Sequence, residues 1–470
     1  MRSLLLVVLS LIPAAVYGGQ IPVVDGVIGG VGNSTESVKP KILGSAATTP
    51  GKLRVKENSG VCETTRGVNQ ASGYGDLSST ESIWFWFFES RTDPDNAPLA
   101  LWFNGGPGSS SMIGLLQELG PCRITNNSRS VTLNPFSWNN EANLLFIDQP
   151  VGVGFSHGDL KVGTSQAAAA DVWSFMQIFF ADERFAKYQA NDLAIWTESY
   201  GGHYGPTFAA HFLAQNAAID RGTVDGVKLN LKVLGVGDGL TDPLIQYPGY
   251  IEYAASNPYH PLVSSSVISR ANSDWSSSNG CRAQISNCYA VGSNSVCSAA
   301  QSFCNNRILN PLAGNWDVYY VPTQNPDPYP PAISSYLNSV ASQIGAESTW
   351  TQRDWMHNSR PDLETVIKAG VRTIVYDGDA DYILNFNGVE AMVDALDTQF
   401  TDLYHSQEFT SFNVRGQSAG LYKNAGTFSY VRFFGAGHEV PAYKWGTLGV
   451  GEAAAQMFTQ IMKDQSLSST

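Results

Sequence analysis

Apolar residues along this chain gather in short, nearly unbroken runs that end in turns or glycine loops. SIWFWFFESR runs into the turn Asp93-Pro-Asp-Asn, PLALWF into a glycine-rich loop, and NLLFI into DQP, so each reads as a strand. DLAIWTESYGG, LKVLGVGDGL, VRTIVYDGD and FSYVRFFGAGH continue the series. Between them lie stretches whose apolar positions recur at helical spacing: SMIGLLQELG, SQAAAADVWSFMQIFFADE and GPTFAAHFLAQNAAI. Strands alternating with helices predict an α/β fold, a mostly parallel central sheet flanked by helices.

That rhythm lapses between about Thr241 and Trp350 and then resumes. The segment holds four of the six cysteines and the PDPYPP turn cluster, which predicts an insertion (241–350) dividing a core of residues 51–240 and 351–470. At the N-terminus one Arg precedes an apolar run from Leu4 to Val16, too short to span a bilayer, and small residues follow. Residues 1–18 read as a secretory signal peptide, and the Gly/Ser/Thr-rich residues 19–50 as a flexible leader or short propeptide.

An exported chain enters an oxidising compartment, where six cysteines suggest disulfides. The expected pairs are Cys62–Cys122 and, nested in the insertion, Cys281–Cys304 around Cys288–Cys297. The spacings lack the paired CxxC pattern of a structural zinc site, so no metal is expected. Asn33 and Asn126 head sequons for glycosylation.

Composition narrows the partners. Charged residues make up only 15% of the chain and the net charge is -13, without any basic cluster, which disfavours nucleic acid and anionic lipid. The hydrophilic tail KDQSLSST lacks the hydrophobic signal of a lipid anchor.

The candidate chemistry lies where strands run into loops. Ser199, in TESYGG, follows a strand and precedes a helix, and Gly201 and Gly202 give the small neighbours that a sharp nucleophile turn needs. A serine nucleophile needs a base, and the base an orienting carboxylate, in the order Ser, Asp or Glu, His on this kind of sheet. His438, in a glycine loop after the last strand, is the candidate base. His157, His203, His211, His260, His357 and His405 read as surface or packing residues. The acid is Asp377, Asp379 or Asp381, which residue physics leaves open. The loop WFNGGPGSSSM could turn backbone N–H groups toward an oxyanion.

With WFNGGPGSSSM, NPFSWNNEANLLFIDQPVGVGFS, TESYGGHYGP, GDADYILN and GAGHEVP in this order, the chain resembles the secreted serine carboxypeptidases, in particular the fungal carboxypeptidase S1 type, over nearly all of its length after Gly60. The resemblance implies an α/β-hydrolase fold with a disulfide-bonded cap and a triad of Ser199, Asp381 and His438, leaving Asp379 structural. It also implies oxyanion donors at the backbone of Gly106 and Tyr200, and recognition of the substrate's terminal carboxylate by Asn104, Glu118 and Glu198. Trp102, Gly105 and Glu439 would shape the pocket. The implied activity is removal of C-terminal residues from peptides and proteins in acid, with no cofactor, by a secreted or vacuolar enzyme.

The chain departs from many relatives at Ser109, Thr197, Leu384 and Glu439, none of them a triad position. A related acyltransferase or a binding protein with a dead site are the rival readings. An ester donor has no free carboxylate for Asn104, Glu118 and Glu198 to hold, and a dead site would not keep the full Ser, Asp, His set.

Overall fold

The computed structural model describes residues 48–324, 331–346 and 358–470. The signal segment, the leader as far as residue 47 with Asn33, His357, and residues 325–330 of the proline cluster lie outside them.

The strands are β1 (Leu53–Glu57), β2 (Gln70–Asp76), β3 (Ser82–Phe88), β4 (Leu99–Phe103), β5 (Cys122–Ile124), β6 (Val131–Leu133), β7 (Asn143–Ile147), β8 (Leu193–Glu198), β9 (Leu231–Gly237), β10 (Arg372–Gly378), β11 (Thr410–Val414), β12 (Gln417–Ala425) and β13 (Phe428–Phe433). β5 and β6 pair as a separate hairpin. The others form one sheet in the order β1-β2-β3-β7-β4-β8-β9-β10-β13-β12-β11. Its centre, from β7 to β13, is parallel. Antiparallel strands extend both edges, so the sheet as a whole is mixed.

The central strands are apolar on both faces because both faces are covered, and their period of two sorts the side chains. Ile83, Phe85, Phe87, Leu101, Phe103 and Ile195 enter one core, with Phe175, Phe179 and Phe208 of helices α1 (Ser165–Ala181) and α2 (Gly201–Asp220). Trp84, Trp86, Trp102 and Trp196 enter the opposite core, with Met457 and Phe458 of helix Glu452–Met462 and Tyr336 and Leu337 of helix Ser334–Ile344.

The helix expected over SMIGLLQELG is mostly a single wide turn, Gly114–Glu118, closed by Leu119 N–H on the Gly114 carbonyl at 3.0 Å. Asn104 Oδ1 takes the Gly114 N–H at 2.9 Å. A Cβ on Gly114 would stand 2.0 Å from Trp102 Nε1, so the turn lies flat on the indole.

Between β9 and β10 the chain passes through α3 (Pro243–Ala255) and further helices, with a core formed by Tyr247, Tyr250, Tyr253, Leu309 and Leu312. That core continues into Tyr382, Ile383 and Leu384, directly after Asp381. The six cysteines pair as Cys62–Cys122, Cys281–Cys304 and Cys288–Cys297.

Candidate active site

Two neighbouring strands bring the first group of side chains together. β4 and β8 run parallel with Trp102 opposite Trp196 and Phe103 opposite Thr197. The next residues on the tryptophan face are then Asn104 and Glu198. Asn104 Nδ2 donates to Glu198 Oε1 at 3.1 Å and to Glu118 Oε1 at 3.2 Å. Its Oδ1 accepts from Trp102 Nε1 at 2.6 Å, which fixes which way the amide points. Trp138 stands edge-on to Trp102 and to Trp196 and stacks on Phe458 at 4.2 Å, forming an aromatic wall behind this group.

The two glutamates are buried, Glu118 at 0% and Glu198 at 4% exposure, so they cannot both ionise cheaply. Burial raises Glu118. Burial, and then the charge of Glu118, hold Glu198 well above the ordinary carboxylate range. The pair keeps a proton that an exposed glutamate would have lost. Glu439 is buried beside them and is raised by burial and by the charge of Glu118.

Ser199 occupies the turn between β8 and α2 with φ +65°, a left-handed conformation that costs a serine about 1–2 kcal/mol. Ser199 N–H donates to the Gly237 carbonyl at 2.9 Å, and the Ser199 carbonyl accepts from Gly202 N–H and Leu240 N–H, each at 2.9 Å. Crowding explains the glycines. A Cβ on Gly201 would lie 2.5 Å from Thr197 Cβ, and one on Gly202 2.5 Å from the Leu240 carbonyl oxygen. Thr197 braces the turn, its Oγ1 donating to the Gly201 carbonyl at 2.9 Å.

The loop after β4 packs against that turn. A Cβ on Gly105 would stand 2.2 Å from Tyr200 N and 2.8 Å from Ser199 Cβ, so the backbone leading into Gly106 lies directly on the serine turn. The Tyr200 ring stacks on His203 at 4.3 Å, and His203 is buried beneath it.

Asp381 and His438 leave the ends of β10 and β13, which are adjacent parallel strands. His438 Nδ1 and Asp381 Oδ2 are 2.9 Å apart, both residues buried. Asp381 also accepts from Ile383 N–H at 2.9 Å and Leu384 N–H at 3.2 Å. The other two acids of the loop have their own partners. Asp379 Oδ1 accepts from Gly435 N–H and the Tyr259 hydroxyl, and Asp377 Oδ2 accepts from the Tyr430 hydroxyl. His157 packs on Tyr74, His211 on Trp173 and His260 on Trp316, while His405 bonds the Asp394 carbonyl. Asn126 is exposed in the β5–β6 hairpin.

Sequence reading missed three neighbours of these groups. Trp138 was visible only as an apolar residue in a matched motif. Tyr319, from the segment between β9 and β10, sets its ring 5.1 Å from the His438 imidazole and accepts the His438 N–H on its carbonyl. Asp238 directly follows β9, as Asn104 follows β4 and Ser199 follows β8, and that shared position was the available signal.

The model of the family described as serine carboxypeptidase matches residues 61–464. Carboxypeptidase S1 of Penicillium janthinellum is 41% identical over 431 residues, covering 88% of this chain and all of that protein. Carboxypeptidase S1 homolog A of Arthroderma otae is 32% identical, covering 89% of this chain and 77% of that one. Among solved structures, the Kex1 prohormone-processing carboxypeptidase of Saccharomyces cerevisiae superposes with a TM-score of 0.67 at 21% identity, covering 86% of this chain and 93% of its own, which shows a shared fold. Among the described residues no helix is long and apolar enough to cross a membrane.

Proposed function

The chain belongs to the serine carboxypeptidase family, and from that membership we propose that it removes C-terminal residues in acid by a Ser199, His438, Asp381 acyl-enzyme mechanism. The observation that carries this reading is the Asn104 amide joining two buried glutamates, one of which, Glu198, directly precedes a strained serine. A peptidase that cuts only chain ends must recognise a terminal carboxylate. A glutamate that keeps its proton can donate a hydrogen bond to that carboxylate, whereas an ionised pair would repel it.

Asn104 exchanges one of its two glutamate hydrogen bonds for one to the terminal carboxylate, and the proton held between Glu118 and Glu198 supplies a second donor. The scissile carbonyl then lies over Ser199, its oxygen facing the backbone N–H groups of Gly106 and Tyr200, which stabilise the charge that develops there. Ser199 Oγ attacks the carbonyl carbon as His438 takes the hydroxyl proton, and Asp381 orients the imidazole. The imidazolium returns that proton to the departing amino group, and water repeats the sequence to release the acyl chain. Trp102, Gly105 and Glu439 line the side of the departing residue. The enzyme acts in the secretory route, outside the cell or in a vacuole, with Asn126 glycosylated.

Incubation with N-blocked dipeptides and their C-terminal amides, read by mass spectrometry, tests the reading. Release of the C-terminal amino acid from the free acids, much faster than cleavage of the amides, is expected. Equal cleavage of both would overturn it.

A further inference from the structure

Asp238 leaves β9 with φ +39°, fully buried, and is pinned to β10 from both sides. Its N–H donates to the Tyr376 carbonyl at 2.8 Å, and its Oδ1 accepts from Gly378 N–H at 3.0 Å. Among the described residues, none gives Oδ2 an N–H or hydroxyl. One Asp238 oxygen, one Asp381 oxygen and a His438 ring nitrogen lie within 4.8 Å of one another.

Two carboxylates that close and that dry cannot both be charged. The donor count decides between them. Asp381 receives two backbone N–H groups and the imidazole, and Asp238 a single N–H. The donor count favours the charge on Asp381 and the proton on Asp238 Oδ2.

We propose that Asp238 is a positioning residue, a neutral acid whose Oδ2–H donates to the Asp381 carboxylate and so tempers its pull on the His438 proton. The groups facing Asp238 favour the neutral form. Asp381 and Asp377 approach from β10 and its loop, Tyr376 lies on β10, Glu198 at the end of β8, and His438 on the loop after β13. Burial, then the charges of Asp381 and Asp377, keep Asp238 well above the usual carboxylate range.

The consequence is functional. End recognition by Glu118 and Glu198 needs acid, whereas the base must be neutral to accept a proton. A proton donor behind Asp381 weakens the stabilisation of the imidazolium.

The inference rests on His438 acting as base for Ser199, and fluorophosphonate labelling of Ser199 tests that assignment separately. The acidic limb of kcat/KM, and the pH at which the downfield His438 Nδ1 proton appears in NMR, are measured for wild type, Asp238→Asn and Asp238→Leu. Asparagine keeps a neutral donor and should hold the midpoint within about 0.3 pH unit of wild type, recovering most of the rate that leucine loses. Leucine removes the donor and should raise the midpoint by about one unit, with kcat falling about tenfold in acid and KM little changed.

A folded leucine variant with an unmoved midpoint overturns the inference. So does a midpoint that falls by a unit in the asparagine variant, which would mean that Asp238 is charged. The asparagine result stands by itself if leucine does not fold, as judged by circular dichroism. Failure of wild type to label at Ser199 counts against the nucleophile and leaves the NMR midpoints to decide the role of Asp238.

Discussion

Glu118 and Glu198 accept from one and the same nitrogen, Asn104 Nδ2, at 3.2 and 3.1 Å, although they come from a helical turn and a strand end 80 residues apart in the chain. A single amide cannot neutralise two buried carboxylates, so the pair is stable only with a shared proton.

Peptide affinity should therefore depend on that proton. As pH rises through the raised value of the pair, well above the ordinary 4.5 of a glutamate, KM for free-acid peptides should climb while KM for the matching amides stays level. Glu198→Gln should flatten the peptide profile and keep ester hydrolysis. Steady-state kinetics across pH check this, and parallel profiles for acid and amide would remove the glutamates from end recognition.

The same proton enters the stability of the fold. A glutamate whose folded pKa lies above its unfolded value contributes fully below the unfolded value of about 4.5, and that contribution is lost as pH rises through the folded one. Thermal midpoints should accordingly fall between mild acid and neutrality, and fall less in Glu198→Gln. A slope identical in the two proteins would place the proton elsewhere.

Ser199→Ala should abolish hydrolysis and fluorophosphonate labelling together. It should leave the thermal midpoint unchanged or slightly lower, because alanine meets the same cost at φ +65°. Substantial residual peptidase activity in pure variant protein would exclude Ser199 as nucleophile.

Removing Cys62–Cys122, which spans a separation of 60 residues, should cost about 4 kcal/mol, against roughly 2.5 kcal/mol for Cys288–Cys297 with its separation of 9. The effects should also differ in kind. Cys122 lies four residues past Glu118, so Cys62→Ser with Cys122→Ser should raise peptide KM more than ester KM. Denaturant midpoints and paired kinetics read both, and equal losses from the two disulfides would contradict the loop-length argument.

The central strands were legible because burial on both faces leaves runs such as LALWF and NLLFI with almost no polar residue. β2, QASGYGD, was not, although every residue of it is buried, since glycines and small polar residues carry no apolar signal. β12 was hidden by half-exposed positions along QSAGLYKNA. At the site, Ser199 and His438 stood out through the glycines around them. Asp381 emerged from three acids only through family resemblance, because its distinction is the imidazole it meets, and that contact spans 57 residues. Asp238 was missed for the same reason: its meaning lies in a neighbour 143 residues away.

The strict alternation of β8 has a consequence for how such an enzyme can change. Thr197, Glu198 and Ser199 follow one another where the strand meets its turn, and β4 beside it holds Asn104 in matching register. Inserting or deleting one residue in β8 would send every later side chain to the wrong face and separate Glu198 from Asn104. Sliding this strand would therefore dismantle the whole Asn104–Glu198 arrangement at once, not retune it. Under the proposed reading, the demand for a chain end would be relaxed by substitutions at Asn104, Glu118 or Glu198, with the length of the strand kept unchanged.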